Sequence, residues 1–442
     1  MHDTTPIVAA SPVGSTSATP EMRKFRRTIV EDVTRRMSLS DSVPAPATRP
    51  QAEQYAAEGL GRLGVELSEP GRSELLRDVM NDLYGFGPIQ PLLDDASVTE
   101  VMVNRADRVY VERAGKPGRT TVTFDDDAHL MRVIDRIIRP LHKQLDADHP
   151  LVDARLPDGS RVNVVIPPVA IAGPCLTIRK FSKIRPTLEE LCRLGSITPA
   201  VAEVLKACVL GRLNIVVTGG TGSGKTTVLN ALSGCIPAHE RIVTIEDAAE
   251  LRLLQDHVIT LESKQPNHDG TGAVTIRDLV RNALRMRPER IIVGECRGGE
   301  TLDMLQAMNT GHDGSLTSLH ANSPRDGLAR IETMTMMAGF DLPIRAIREQ
   351  IGSAVQVLVH AARMRDGSRK ITYISEIAGM EGDKVVMQEI FRFKETAPTA
   401  NGPVTGSLQA AGLRPQFVAK LEGMGIKLAP AIFMPGGGPT AR

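Results

Sequence analysis

The feature that most constrains this chain is an apolar run at residues 213–230 that breaks into glycines and resumes as a predicted helix. Gly219, Gly224, Lys225 and Thr226 follow the G-x-x-x-x-G-K-[ST] spacing, with a predicted strand before them and a predicted helix after them. Glycines let backbone N–H groups turn toward phosphate oxygens, and the N-terminus of the following helix adds a positive dipole end. The run therefore predicts a phosphate-binding loop, and a glycine-rich turn without a ligand is the weaker interpretation.

The residues of this loop have separate chemical roles. Lys225 is expected to reach the β and γ phosphates of a nucleotide, and the Thr226 hydroxyl to bind a Mg²⁺ that otherwise keeps waters and phosphate oxygens as ligands. ATP and Mg²⁺ are therefore the predicted cofactors. The predicted nucleotide-binding residues are Gly219, Gly220, Thr221, Gly222, Ser223, Gly224, Lys225, Thr226 and Thr227.

Composition limits the remaining classes of function. At 442 residues the chain suggests two or three domains. With 53 basic residues against 52 acidic ones, it has no overall charge that would attract it to nucleic acid or lipid. The absence of Trp, with four Tyr and nine Phe, weakens any platform for stacked bases. Five scattered cysteines without a C-x-x-C pair indicate neither a disulfide framework nor zinc, and they fit a reducing cytosol. We find neither a signal peptide nor a spanning segment, so membrane contact is expected through partners.

Changes in texture along the chain predict its domains. Strands and helices alternate beyond residue 197, which implies an α/β domain with a mostly parallel sheet, followed by an antiparallel extension that ends near residue 393. Capping boxes, Thr275 with Asp278 and Ser323 with Asp326, support two of its helices. Short strands, one of them at 120–124, and a helix over 127–139 indicate a preceding α+β domain. The predicted division is a disordered leader at 1–20, a helical appendage at 21–84, the α+β domain at 85–182, a linker at 183–196, the α/β domain at 197–395 and a tail with one short helix at 396–442.

Two segments near the N-terminus are candidate docking surfaces. Residues 21–37 predict a basic amphipathic helix, which is either one solvated helix of a bundle or a docking helix on a flexible leader for an acidic partner or anionic lipid. The Gly- and Pro-rich segment 83–93 is expected to expose Phe86 and Ile89. We favour this second surface for transmitting force, because a disordered joint carries no load.

Polar residues end three strands of the predicted parallel sheet, where ligands bind in such folds. Glu295 follows the strand 290–294 and is predicted to orient or deprotonate an attacking water. Glu246 follows the strand 241–245 and either holds waters around the metal or caps the next helix. His320 ends the strand 315–320, with His312 just ahead of it; the two either sense the γ phosphate or form a structural pair.

The motifs in this order resemble those of the secretion ATPases of type II and type IV systems and pili. Four segments carry this resemblance: GGTGSGKTT, TIEDAAEL, RIIVGECRGGE and MNTGHDGSLTSLHANSPRDGLARIETM. Within that superfamily, five further segments resemble the tight-adherence (Tad) pilus assembly ATPases of the CpaF type: LYGFGPIQPLLDDASVTEVMVN, DARLPDGSRVNVVIPP, LTIRKF, VVMQEIFRF and GLRPQFVAKLEGMGI. The resemblance covers roughly residues 75–430, and the missing zinc-binding cysteine quartet favours the pilus branch.

The resemblance implies a RecA-like ATPase domain preceded by a PAS-like α+β domain, assembled as a homohexamer with ATP between the two domains. By the same resemblance Glu295 is the Walker B catalytic acid, Glu246 belongs to the Asp box and His320 to the His box. Arg161 and Arg179 match basic residues that close over the phosphates. The implied partners are polytopic platform proteins of the inner membrane, and the implied location is the cytoplasmic face of that membrane.

Two other classes of function remain as alternatives to an ATPase that drives pilus assembly or retraction. One is a RecA-like nucleic-acid translocase, which the near-zero charge and scarce aromatic residues disfavour. The other is a scaffold that binds nucleotide without turnover, which the presence of both Glu295 and Lys225 disfavours.

Overall fold

Two compact units make up the chain in a computed structural model, residues 1–182 and residues 183–442. The structure describes residues 19–39, 44–113, 115–141, 143–181, 187–266, 270–396 and 402–436. Residues 1–18 of the predicted leader, 183–186 of the predicted linker and 397–401 and 437–442 of the predicted tail lie outside the described residues. The finer domain boundaries stay predictions.

The first unit begins with helices and continues as an α+β fold. Its described helices are α1 (Pro20–Arg36), α2 (Arg49–Arg62), α3 (Glu69–Tyr84), α4 (Gln90–Asp94) and α5 (Asp127–Ile138). Its described strands are β1 (Val98–Arg105), β2 (Arg108–Arg113), β3 (Lys116–Arg119), β4 (Leu151–Arg155), β5 (Arg161–Val165) and β6 (Cys175–Arg179).

Helix α1 packs against α2 and α3, as the bundle interpretation expected, and is not held out on a tether. Ile29 and Val33 on its apolar face are buried in a core shared with those helices. Arg26 lies on the same buried face and is only 4% exposed. Its Nε lies 3.0 Å from an Asp82 oxygen of α3, and its Nη2 lies 2.7 Å from an Asp125 oxygen. The hypothesis of a docking helix held out on a flexible leader is therefore wrong in its premise. Removing α1 would expose this core and leave two buried carboxylates without their cationic partner.

A buried histidine joins the same cluster from α5. His129 Nε2 lies 3.2 Å from Asp82 and its Nδ1 lies 3.5 Å from Asp125, and the imidazole is almost fully buried. Burial opposes a charge on the ring, but hydrogen bonds to the two carboxylates outweigh it and raise the pKa of His129. The helical region is thus fastened to the α+β fold by ion pairs as well as by apolar contacts.

The strands of the first unit form an antiparallel sheet in the order β3-β2-β1-β6-β5-β4. The first and last strands of the domain are neighbours at its centre, which is the arrangement of a PAS-like sheet. Helix α5 covers one face, burying Leu130, Val133, Ile134 and Ile137 as its spacing predicted.

Two expectations for this unit are wrong. The predicted strand at 120–124 does not form, and the strand of this region is β3, Lys116–Arg119. Thr120 and Phe124 donate single backbone hydrogen bonds to Val109 and Ala106, and Phe124 is buried in the core. Ile89 is fully buried and Phe86 is half-buried against the same core, so the segment 83–93 lacks the exposed apolar pair proposed for docking.

The second unit carries the alternating pattern. Its described helices are α6 (Leu188–Arg193), α7 (Pro199–Leu210), α8 (Lys225–Ser233), α9 (Ile276–Ala283), α10 (Glu300–Asn309), α11 (Pro324–Met336), α12 (Ile344–Ala354) and α13 (Phe417–Gly423). Its described strands are β7 (Ile215–Gly219), β8 (Ile242–Glu246), β9 (Val258–Glu262), β10 (Arg290–Val293), β11 (Leu316–His320), β12 (Val357–Arg363), β13 (Arg369–Glu381), β14 (Lys384–Glu395) and β15 (Gly406–Ala410).

These strands form one sheet in the order β15-β14-β13-β12-β7-β11-β10-β8-β9. The pairs from β12 to β9 are parallel, and two apolar clusters cover the two faces. Strand β11 lies between β7, which leads into the glycine loop, and β10, which leads to Glu295; this insertion is typical of the RecA-like arrangement. The predicted α/β fold class is confirmed. Among the described helices of the whole chain, none is long and apolar enough to span a bilayer.

The antiparallel extension is also confirmed, with one strand more than predicted. Strands β13 and β14 continue from β12 as expected, and β15 adds an edge in the segment predicted to hold only a helix. The capping box at Thr275 is complete. At Ser323 only half forms, because the Asp326 carboxylate accepts from Asn322 N rather than from Ser323 N.

Candidate functional site

The glycine loop connects the buried strand β7 to α8. Gly222 and Gly224 adopt φ of 69° and 95°, a region that favours glycine. A Cβ at Gly219 would overlap the Ala361 carbonyl oxygen of β12, so this position needs glycine because of close packing. The sequence therefore forms a tight loop whose conformation depends on its glycines.

The backbone of this loop is suited to an anion. N–H groups in the first turn of α8 have no intrahelical acceptor, and Gly224 at the N-cap offers no side chain to them. The buried Ser223 hydroxyl has no hydrogen-bond partner among the described residues. Unsatisfied donors at a helix N-terminus are the physical requirement of a phosphate site.

Lys225 points its ammonium group across the loop toward two strand ends. Its Nζ donates to the Gly220 carbonyl at 3.3 Å and lies 3.5 Å from Glu295 Oε1 and 3.3 Å from His320 Nε2. The side chain is largely buried. The strand order thus brings together three of the residues predicted from sequence.

Glu295 accepts hydrogen bonds through one carboxylate oxygen, and its other oxygen lies close to two cationic side chains without a hydrogen bond to any residue that the structure describes. Oε1 lies 2.5 Å from His320 Nδ1, and Oε2 accepts a forked pair of hydrogen bonds from Arg297 at 2.6 and 2.8 Å. Burial alone would raise the pKa of Glu295, but the Arg297 hydrogen bond and the charges of Lys225, Arg297 and His320 outweigh it and lower the pKa. The carboxylate is therefore ionised at neutral pH and positioned beside the loop.

The two histidines are separated by the length of a strand. His320 ends β11 opposite Gly219 of β7, and its Nε2 lies 3.1 Å from Thr221 Oγ1 of the loop. His312 precedes the same strand, at the opposite edge of the sheet, where its carbonyl accepts from Ser315. The expectation that both histidines sense phosphate is wrong for His312, because β11 runs between them.

Glu246 ends β8 and is almost fully buried. Its carboxylate accepts the backbone N–H groups of Glu250 and Leu251 at 3.0 and 3.1 Å, and its side chain packs on Gly294, the residue before Glu295. It thus organises the acidic loop that follows β8. The expectation that Glu246 caps a helix is wrong, because residues 247–257 form no helix and lead into β9; its role toward metal-bound water stays a prediction.

Arg161 and Arg179 belong to the first unit. They lie directly opposite each other on β5 and β6, and Arg179 also faces Glu100 on β1. Like charges opposite each other in a sheet repel, and the Glu100 carboxylate next to Arg179 offsets part of this repulsion. Their role toward nucleotide stays a prediction.

One side chain at the loop, Thr226, is predicted to bind Mg²⁺. Thr226 lies in the first turn of α8, half-exposed, next to Lys225. A P-loop Mg²⁺ takes a single hydroxyl from the protein and otherwise phosphate oxygens and waters, so the residues present fit Mg²⁺. No cluster of His, Cys, Asp and Glu able to hold a metal by itself occurs among the described residues.

Sequence reasoning gave no role to Arg297, although it follows Glu295 by two positions. Its guanidinium bridges Glu295 and Asp247, 3.4 Å away, and so joins the ends of β10 and β8. The signal was the cluster of opposite charges after two adjacent strands. Arg363 and Arg369 near the loop were missed because they come from a distant hairpin.

The family model described as Type II/IV secretion system protein matches residues 82–389 of the chain. The match spans most of the first unit's α+β fold and the nucleotide loop with its neighbouring strand ends.

Several known proteins are similar over much of this chain. A putative conjugal transfer protein of Mycobacterium tuberculosis is 40% identical over 313 residues, covering 70% of this chain and 88% of the relative. The type IV secretion system protein VirB11 of Brucella abortus is 36% identical over 323 residues, covering 66% and 88%. Among solved structures, the VirB11 ATPase of Brucella suis, crystallised with sulphate, is 33% identical with a TM-score of 0.35, covering 65% of this chain and 94% of that one.

Proposed function

The chain belongs to the type II/IV secretion system protein family, and from that premise we propose that it is a Mg²⁺-dependent ATPase that powers a secretion or pilus machine. One observation carries the proposal: Lys225, Glu295 and His320 converge beside a loop shaped for phosphate, with Glu295 Oε1 3.5 Å from Lys225 Nζ and 2.5 Å from His320 Nδ1. An ionised carboxylate beside a phosphate-binding lysine is the arrangement that hydrolysis of a phosphoanhydride needs.

The residues divide the chemistry among themselves. N–H groups of the loop and Lys225 bind the β and γ phosphates, and Glu295 orients or deprotonates the attacking water. Mg²⁺, held by Thr226, would neutralise charge on the phosphates when bound. His320, hydrogen-bonded to Thr221 and close to Glu295, holds the carboxylate at the terminal-phosphate end of the loop.

Coupling to movement is assigned to the first unit. Arg161 and Arg179 would supply positive charge to the phosphates when the two domains close, so that hydrolysis depends on closure. The proposed assembly is a homohexamer at the cytoplasmic face of the inner membrane, docked on polytopic platform proteins. The Tad pilus is the proposed machine, on the strength of the resemblance in the segments outside the nucleotide motifs.

The decisive experiment is phosphate release by the purified full-length protein, with and without Mg²⁺. We expect turnover that requires Mg²⁺ and is insensitive to added single- or double-stranded DNA. Binding of ATP without phosphate release would support a scaffold instead, and strong stimulation by DNA would support a translocase. Electron microscopy with a nonhydrolysable ATP analogue tests the hexamer, and a monomer under those conditions would contradict it.

A further inference from the structure

The nucleotide loop has a second flank that the proposed chemistry does not use. Strand β7 is paired with β11 on one side and with β12 on the other, both in parallel. Glu295 and His320 lie on the β11 side. On the β12 side Ala361 is aligned with Gly219, so that the end of β12 lies directly beside the loop.

Two arginines occupy this second flank. Arg363 ends β12 and Arg369 begins β13, and the two are directly opposite each other in the antiparallel register. Arg369 Nε donates to the Gly222 carbonyl at 2.9 Å, and a Cβ at Gly222 would lie 3.8 Å from Arg363 Nη1. Both guanidinium groups are therefore at the loop, and both residues are exposed.

The charges of Arg363 and Arg369 are not balanced by any acidic side chain that the structure describes, in the way that the charge of a neighbouring arginine is. Arg365, between them on the same hairpin, forms an ion pair with Glu395 of β14. Within the part of the chain that the structure describes, no carboxylate lies within ion-pair distance of Arg363. Like charges opposite each other across two strands are destabilising, and an anion between them would remove that cost.

The two flanks correspond to the two ends of a nucleotide. The β11 flank holds Glu295, which acts on the terminal phosphate, so the inner phosphate and the nucleoside must extend away from it. The β12–β13 hairpin reaches that other end, because a Cβ at Gly224, the N-cap of α8, would lie 3.3 Å from Arg369 Cδ, and Arg363 is the cross-strand neighbour of Arg369. Because Arg369 Nε is already hydrogen-bonded to the Gly222 carbonyl, Arg363 is the cation of this hairpin that is expected to meet the phosphate nearest the ribose.

We propose that Arg363 binds the α-phosphate of the nucleotide and that Arg369 is a positioning residue, holding the Gly222 carbonyl so that the loop keeps its shape. The proposal rests on the proposed function, since it requires that the loop bind ATP or ADP. It differs from the roles of Arg161 and Arg179, because the hairpin belongs to the same unit as the loop and needs no domain closure.

The test compares ADP and ATP binding by calorimetry in wild type and in Arg363→Ala, with Arg365→Ala as the matched control from the same hairpin. An α-phosphate contact is present in both nucleotides, so Arg363→Ala should weaken ADP and ATP by the same factor of about tenfold, the scale of one charge-assisted hydrogen bond. KM for ATP should rise by a similar factor, while kcat at saturating ATP is unchanged. Arg363→Lys should recover most of the affinity, and Arg365→Ala should bind as wild type does.

The positioning role has its own readout. Arg369→Ala should raise KM for ATP, and Arg369→Lys should restore it, because a single N–H donor suffices for the Gly222 carbonyl. Melting temperatures measured on the same samples separate this from loss of folding: an Arg369→Ala protein that melts like wild type and binds nucleotide normally overturns the positioning role.

The other outcomes are equally decisive. Weaker binding of ATP but not of ADP would place Arg363 at the γ phosphate and overturn the proposal. An unchanged affinity for both nucleotides would also overturn it. A fall in kcat with normal ADP affinity would overturn it too, since it would place the residue in the transition state. If wild type itself binds neither nucleotide, the proposed function fails as well. If wild type hydrolyses ATP and Arg363→Ala binds both nucleotides as wild type does, this proposal alone fails.

Discussion

Replacing Glu295 by Gln tests the proposed chemistry most directly, because the amide keeps the shape and removes the charge. The carboxylate is only 17% exposed and lies 3.5 Å from Lys225 Nζ. At that distance, with an effective dielectric constant of about 20, the attraction between the two charges is on the order of 5 kcal/mol before desolvation is counted. Phosphate must compete with this attraction for Lys225.

The substitution should therefore separate binding from turnover. Loss of the general base should slow phosphate release by at least about 100-fold, which corresponds to about 2.7 kcal/mol of barrier. ADP affinity should stay the same or rise, because the anion that competes for Lys225 is gone. Single-turnover phosphate release at saturating ATP measures the first effect, and calorimetry with ADP the second.

The matched control is Glu262→Gln. Glu262 ends β9 at the same edge of the sheet, four strands away from β7, and accepts the backbone N–H of Ala249. It should leave turnover within a few-fold of wild type. If Glu295→Gln releases phosphate at a rate close to that of the control, Glu295 is not the base. If Glu295→Gln instead loses ADP binding, the carboxylate supports the structure of the loop.

Three further predictions concern the first unit. Arg161→Ala and Arg179→Ala should each lower turnover more than ADP affinity, measured by phosphate release and calorimetry; equal losses in both would argue against a role in closure. Arg26→Ala should lower the free energy of unfolding by about 3–5 kcal/mol in denaturant titrations, because two largely buried carboxylates lose their partner, whereas Arg27→Ala on the exposed face should cost less than about 1 kcal/mol. Because the pKa of His129 is raised in the folded state, its stabilising contribution is present below about pH 6.5 and is lost as pH rises through the raised pKa, so the melting temperature should fall across that window in wild type and not in His129→Gln.

The nucleotide domain could be predicted because each of its parts is local in sequence. Its parallel strands are short, buried apolar runs that end in polar residues, and the loop glycines identify the first of them. Once the strands are parallel, Glu246, Glu295 and His320 must share one edge of the sheet, whatever the strand order. The separation of His312 follows from the same rule, because it precedes its strand and His320 ends it.

The missed features depend on pairings between distant residues. Arg26 looks like one of several basic residues on a helix, and its burial follows from partners that include Asp125, 99 positions away. Strand β15 has a single buried side chain, Leu408, so its alternation is too short to be recognised. Arg363 and Arg369 reach the loop only because β12 pairs with β7.

The contacts of Lys225 suggest how nucleotide binding is communicated beyond the loop. Its ammonium group lies beside Glu295, Glu295 is held by Arg297, and Arg297 reaches Asp247 at the end of β8. When phosphate takes over Lys225, Glu295 loses one of the cations that lower its pKa and depends more strongly on Arg297 and His320. The Arg297–Asp247 contact is the longer and more exposed of the two, so we expect a tighter Glu295–Arg297 pair to weaken it. The acidic segment after β8 is therefore the part of this unit whose position should respond first to the nucleotide, and it responds through charge rather than through the packing of the sheet.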